Sequence, residues 1–220
     1  MAILKQITND ELPMTDYKVL LILVLFLASC GDTPETEVAV PVPAAGPIQL
    51  HPDNPHYFLY KGKALALITS GEHYGALLNL DFDYETYLRT LADEGMNYTR
   101  IFTGSYFEIP GESFGIQNNT LAPLPDRVIT PWLQIKDDSG QEKYDLTQWN
   151  QAYFDRLNGF MKLAASLDII VEVTFFSSIY RDEHWDISPQ NPENNVNINH
   201  TIDRKEAQTP NNGELLEYQE

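Results

Sequence analysis

Glu72, His73 and Tyr74 stand side by side in Ser70-Gly71-Glu72-His73-Tyr74-Gly75, a polar stretch bracketed by glycines. Arg100 sits in the run Asn97-Tyr98-Thr99-Arg100-Ile101-Phe102, with Tyr106 a few residues on. Glu172 interrupts the apolar run 169–176, and Tyr180 and Trp185 follow it. A carboxylate, an imidazole, a guanidinium and several phenols suit hydrogen bonding to a hydroxyl-rich ligand, while aromatic faces suit stacking on rings or plain core packing. Glu72 and His73 do not read as a shared metal pair, because adjacent side chains at a strand end diverge. Asp182-Glu183-His184-Trp185-Asp186 lacks the glycine and the alternate-oxygen spacing of a calcium loop and reads as a solvated loop. The sequence contains no nucleophile elbow, phosphate loop or Cys-x-x-Cys pair, so no cofactor and no metal are expected.

These residues are positioned by an alternation of strands and helices. Residues 64–68 are a short apolar run. Tyr84, Tyr87, Leu88, Leu91 and Ala92 follow at helical spacing, with Asp83 able to cap the start and Gly95 the end. The run 97–102 closes a strand–helix–strand unit, and such units place chemistry just past the carboxyl ends of their strands. A hairpin is expected around Gly62, a second helix from near Asn150 and a third strand over 169–176. The nearly continuous apolar character of that strand suits a parallel sheet buried on both faces. Glu172 within it is either a structural ion pair or a group facing a site. Residues 103–144 show no helix pattern and are broken by Pro110, Gly111, Pro123, Pro125, Pro131 and Gly140. They read as an ordered excursion, since Phe107, Phe114 and Trp132 must pack on something. A polar segment, 177–212, precedes a helix starting at Gly213. The expected fold class is α/β: the N-terminal part of a (β/α)8 barrel, cut after about three β/α units, with an open parallel sheet as the alternative.

The 220 residues are 43% hydrophobic, enough for a packed core, and carry a formal net charge of −18. That acidity disfavours nucleic acid, which needs clustered Lys and Arg. Cys30 is the single cysteine, so no internal disulfide can form. It follows the unbroken apolar run 19–28, shorter than the roughly 20 residues needed to span a bilayer but suited to a signal peptide. Leu27-Ala28-Ser29-Cys30-Gly31 resembles a bacterial lipobox, with a buried helix and a chance cysteine as the competing reading. The resemblance implies a signal over 1–29, of which 1–13 is an over-long start since Met14 is better placed, and a lipid on Cys30. It also implies attachment to the bacterial cell envelope. Residues 30–47, with Pro34, Pro41, Pro43 and Pro47, read as an extended tether.

Five stretches sharpen the reading of 48–220. His51-Pro52-Asp53-Asn54-Pro55-His56-Tyr57-Phe58, Ser70 to Ala76, Asn97-Tyr98-Thr99-Arg100 and Tyr144-Asp145-Leu146-Thr147-Gln148-Trp149-Asn150 resemble cellulase-like glycoside hydrolases of clan A, and Trp185-Asp186-Ile187-Ser188-Pro189 looks like the same group. The resemblance implies a carbohydrate substrate and a retaining mechanism with two glutamates, one in an Asn-Glu motif after strand four and one ending strand seven. Neither has a match here, so no catalytic residue is assigned, and those strands would lie beyond Glu220. Arg100 matches the arginine that in this clan lies beside the nucleophile, or else it is a structural ion pair. Substrate-binding roles fall to Glu72, His73, Tyr74, Arg100, Tyr106, Tyr180 and Trp185. A surface glycan-binding lipoprotein without catalysis is the competing function.

Overall fold

The computed structural model describes residues 46–70, 73, 75–111, 120–207, 209 and 212–218. The expectations for the signal, for Cys30 and for most of the tether lie outside these residues, as do Glu72 and Tyr74. The chain divides into two units, one up to Ala64 and one from Leu65.

In the first unit Gln49–Leu50 (β1), Phe58–Tyr60 (β2) and Lys63–Leu65 (β3) form a three-stranded sheet in that order, with Leu50 opposite Phe58. Lys61 and Gly62 join β2 to β3 with φ of 50° and 72°. Two successive positive φ values are the signature of a tight hairpin turn, so the hairpin expected around Gly62 forms.

The second unit begins at Leu65. Its helices are Gly75–Leu78 (α1), Tyr84–Asp93 (α2), Gln151–Ser166 (α3), Asp182–Asp186 (α4) and Gly213–Leu216 (α5). Its strands are Tyr98–Phe102 (β4), Trp132–Lys136 (β5), Glu142–Trp149 (β6) and Ile170–Thr174 (β7). α2 begins where Asp83 accepts a hydrogen bond from the Thr86 amide at 3.0 Å. It ends where the Gly95 amide donates to Ala92 and the Met96 amide to Leu91, with Gly95 at φ 75°. That paired closure needs a left-handed residue, which glycine supplies without strain. α3 opens on the Asn150 side chain, which accepts from the Ala152 amide. It closes the same way through Asp168 at φ 56°, a position most residues avoid.

β4 and β7 pair in parallel, Tyr98 with Ile170 through Phe102 with Thr174, and α3 precedes β7 as the end of the crossover. β5 and β6 form an antiparallel hairpin with a bulge after Trp132. Its turn is tied by Asp137, whose carboxylate accepts from the Ser139 amide, the Ser139 hydroxyl and the Gln141 amide. Leu77, Leu78, Leu88, Ile101 and Phe160 are fully buried in one core that includes Tyr106 and Tyr153. Each such side chain is worth about 1.5–3 kcal/mol of transfer free energy.

The structure is thus a mixed α/β chain with small sheets, and two expectations change. Residues 64–68 do not form the first strand of a three-stranded parallel sheet. β3 stops at Leu65 and belongs to the hairpin. Residues 66–68 instead meet the start of β4 through Asn97, whose side chain accepts from the Ile68 amide at 2.8 Å and donates to the Ala66 carbonyl at 2.9 Å. One asparagine does locally what a ladder would do along a strand. The second change lies in 103–144, whose described residues include β5 and the start of β6. Leu133, Gln134, Ile135 and Lys136 alternate between partly buried and exposed, a period of two in the sequence.

Candidate functional site

Past the carboxyl ends of β4 and β7 four side chains close into one network. The chain leaves β4 through Gly104, at φ 119°, where a Cβ would come within 2.8 Å of Pro131. It then delivers Tyr106 and Glu108, and the segment after β7 delivers Tyr180 and, from α4, His184. The Tyr106 hydroxyl donates to Glu108 Oε1 at 2.8 Å and lies 2.6 Å from the Tyr180 hydroxyl. A phenol has one proton, and that of Tyr106 is committed to Glu108, so Tyr180 donates to Tyr106. His184 Nε2 lies 3.3 Å from Glu108 Oε2, and its ring stacks on Tyr106 with centroids 5.0 Å apart.

Tyr106, Glu108 and His184 are buried, whereas Tyr180 is 57% exposed. Burial first, then the contacts with Tyr180 and Glu108, push the Tyr106 hydroxyl well above the ordinary phenol range. It therefore stays protonated and keeps its direction of donation. The Tyr180 oxygen, its proton committed inward, is left to accept from a ligand hydroxyl on its exposed side. His184 Nδ1 is buried without a hydrogen-bond partner. The arrangement orients an exposed phenol rigidly; Glu108 serves here as a buried anchor, its two oxygens engaged by Tyr106 and His184.

Of the residues expected to bind substrate, this network brings together Tyr106 and Tyr180. Trp185, beside His184, is buried in the core and presents no face to solvent. The segment 182–186 is therefore no solvated loop: one helical turn points His184 and Trp185 inward and leaves Asp182, Glu183 and Asp186 exposed. Glu108 and His184 carry no local signal of partnership, being 76 positions apart in two connecting segments.

Arg100 lies opposite Glu172 across the parallel pair, with Nε 2.8 Å from Oε1, and the Tyr98 hydroxyl donates to the same carboxylate. The side chains are 31% and 46% exposed. Such a pair contributes about 0–1 kcal/mol. Glu172 thus takes the ion-pair reading. Neighbouring Thr99 faces the other way, bonded to the Tyr87 hydroxyl of α2 at 2.8 Å. His73 packs against Tyr87 and against Phe82, with centroids 5.5 Å and 3.8 Å away. Side chains alternate along a strand, so His73 lies on the α2 side of β4 and Arg100 on the opposite side. They do not share a cleft.

His73 instead is a packed, half-buried imidazole. Its Nε2 lies 3.1 Å from the Thr120 hydroxyl. Burial lowers its pKa from 6.5 to about 4, against a smaller raising effect of a backbone hydrogen bond. A group depressed in the folded state leaves stability intact above its unfolded pKa and erodes it as pH falls toward the folded one. Stability should therefore drop by about 3 kcal/mol between pH 6.5 and pH 4 from this residue. Urea midpoints across that range should flatten in His73→Gln; a variant that tracks the parent at every pH would refute the assignment.

Among the described residues no three His, Cys, Asp or Glu side chains gather as a metal site requires, and no helix is long and apolar enough to cross a membrane. No protein-family model matches the chain, and no curated protein matches it. A solved structure from Bacteroides vulgatus, named a "putative glycoside hydrolase", is similar at a TM-score of 0.41 and 18% identity, over 58% of this chain and 23% of that one. The matched part thus spans about a quarter of the length of that protein.

Proposed function

We propose that this chain is the N-terminal part of a cellulase-like glycoside hydrolase that acts on O-glycosidic bonds of a poly- or oligosaccharide, built on a (β/α)8 barrel and held at the bacterial envelope by a lipid on Cys30. The observation that carries the reading is Tyr180, an exposed phenol held by buried Tyr106 and Glu108 past the carboxyl ends of neighbouring parallel strands. In parallel α/β proteins that is where ligands bind. The sequence likeness over 48–220 supplies the substrate class. Glu72 and Tyr74 remain proposed contacts with it.

Retaining hydrolysis needs two carboxylates about 5 Å apart across the scissile bond. Glu108 is held by Tyr106 and His184, and Glu172 by Arg100 and Tyr98. These engagements favour binding over catalysis in the residues present, so the glycan-binding lipoprotein stands as the second reading.

In affinity electrophoresis the full chain should be retarded by at least one soluble β-glucan or xylan, without releasing reducing sugar. Tyr180→Ala should weaken that retardation roughly tenfold, about 1.4 kcal/mol. No retardation by any plant or bacterial polysaccharide would remove the carbohydrate reading. Turnover lost on changing Glu172 to Gln would relocate catalysis into this chain. For the anchor, Cys30→Ser should move the protein from the membrane to the soluble fraction; fatty-acid labelling of that variant would refute it.

A further inference from the structure

A cavity of about 370 Å³ is lined by residues outside the network of Tyr106, Glu108, Tyr180 and His184. It too lies past the strand ends: Thr103 and Ser105 follow β4, and Phe175 and Phe176 follow β7. α3 closes its far wall with Tyr153 and Phe154, the latter edge-on to Trp149 with centroids 5.7 Å apart. Trp149, Phe175 and Phe176 are 62%, 66% and 51% exposed at its mouth. The volume lies in the range of small-molecule sites, which are mostly apolar with a few convergent polar groups.

Two features define what the cavity would take. Among the described residues no Asp, Glu, Lys, Arg or His lines it, so nothing there compensates a charged ligand. Its walls are mostly apolar, which suits an aromatic ring better than the hydroxyls of a hexose. Yet Gln190, fully buried, lines it with neither amide atom hydrogen-bonded, and the Trp132 indole nitrogen is buried without a partner as well. Buried amides without partners are uncommon in folded proteins. Aromatic walls favour edge-on and offset contacts with another ring.

We infer that this cavity binds an uncharged aromatic ring carrying a hydrogen-bonding group at its edge, of the phenol or aryl ether class, with Gln190 and Trp132 as the polar partners. The inference stands apart from the carbohydrate reading, because it uses none of Tyr106, Glu108, Tyr180 or His184.

Saturation-transfer NMR on the full chain with phenyl β-D-glucopyranoside separates the two. The aryl protons should receive more saturation than the sugar protons, and phenol, but not methyl β-D-glucopyranoside, should compete for it. Trp149→Ala, at an exposed position that leaves the fold intact, should cut aryl saturation at least fivefold. Gln190→Leu, similar in size, should cut it comparably, and Tyr180→Ala should leave it unchanged. Absence of aryl saturation, as when another stretch of chain or a second copy fills the cavity, would overturn the inference. So would aryl saturation that Trp149→Ala leaves intact. Aryl binding without retardation by any polysaccharide would keep the cavity and dismiss the carbohydrate reading.

Discussion

Replacing Arg156 with methionine should lower the stability of the protein by about 3–5 kcal/mol, read as a shift of the urea midpoint. Arg156 projects from α3 into the open end of α1. Its Nε donates to the Leu77 carbonyl at 2.8 Å, and Nη2 reaches the carbonyls of Ala76, Asn79 and Phe82 at 3.2, 3.0 and 3.0 Å. A four-residue helix cannot satisfy its own last carbonyls, and Ala76, Leu77 and Asn79 are buried away from water. The guanidinium also lies over the Tyr84 ring, 4.9 Å from its centroid. Tyr84 comes that close to α3 because residue 159 is glycine: a Cβ there would stand 2.8 Å from the Tyr84 hydroxyl. One cation thus ties α1, α2 and α3 together. Methionine keeps much of the stem and removes every donor, so its loss reports the hydrogen bonds rather than packing. Arg156→Lys should fall between, since an ammonium lacks the planar fork that reaches several carbonyls at once. A methionine variant within 1 kcal/mol of the parent would mean that water satisfies these carbonyls.

Where the sequence states a local rule, the fold follows it. Asp83 and Asn150 start α2 and α3 as capping residues should, Gly95 ends α2, and the run 169–176 becomes β7. These features depend on neighbours a few residues apart. What was not legible depends on partners far along the chain. An apolar run at 64–68 signals a strand, but not whether its partner is a hairpin neighbour or a distant parallel strand; Asn97 decides how the end of that run meets β4. The β5–β6 hairpin was available from the alternation after Trp132 and from Asp137-Asp138-Ser139-Gly140, a turn-forming cluster. At the candidate site Tyr106 and Tyr180 could be named as phenols past strand ends. Their mutual hydrogen bond could not, nor could the anchoring of that pair by Glu108 and His184. His184 sits among acidic neighbours that mimic a solvated loop, and only helix geometry turns it inward. His73 and Arg100 show the complementary failure: both belong near strand ends, but the face each takes is fixed by where α2 packs.

Glu108→Leu should cost about 2–4 kcal/mol and, if the proposed carbohydrate reading holds, weaken polysaccharide binding along with stability. Glu108 is buried and accepts from Tyr106, with His184 Nε2 at its second oxygen. Leucine matches its size, so little cavity results. The Tyr106 hydroxyl and His184 Nε2, however, would each lose a partner where water does not reach. His184 already has one buried nitrogen without a hydrogen bond, so it has no alternative to turn to. Tyr106, no longer committed inward, could donate to Tyr180, reversing the direction of that hydrogen bond. Tyr180 would then offer its own proton outward in place of a lone pair, and a ligand hydroxyl placed to donate would lose its acceptor. Glu108→Gln separates the two contributions. Its amide oxygen can still accept from Tyr106, so the orientation of Tyr180 and the binding should survive. Its amide nitrogen faces His184 in place of a carboxylate oxygen, so stability should fall by about 1–2 kcal/mol. Binding that survives in the glutamine variant and fails in the leucine variant marks Glu108 as a positioning residue acting through Tyr106. Binding unaffected in the leucine variant, with the fold intact by circular dichroism, would show that the network braces the loop without orienting Tyr180.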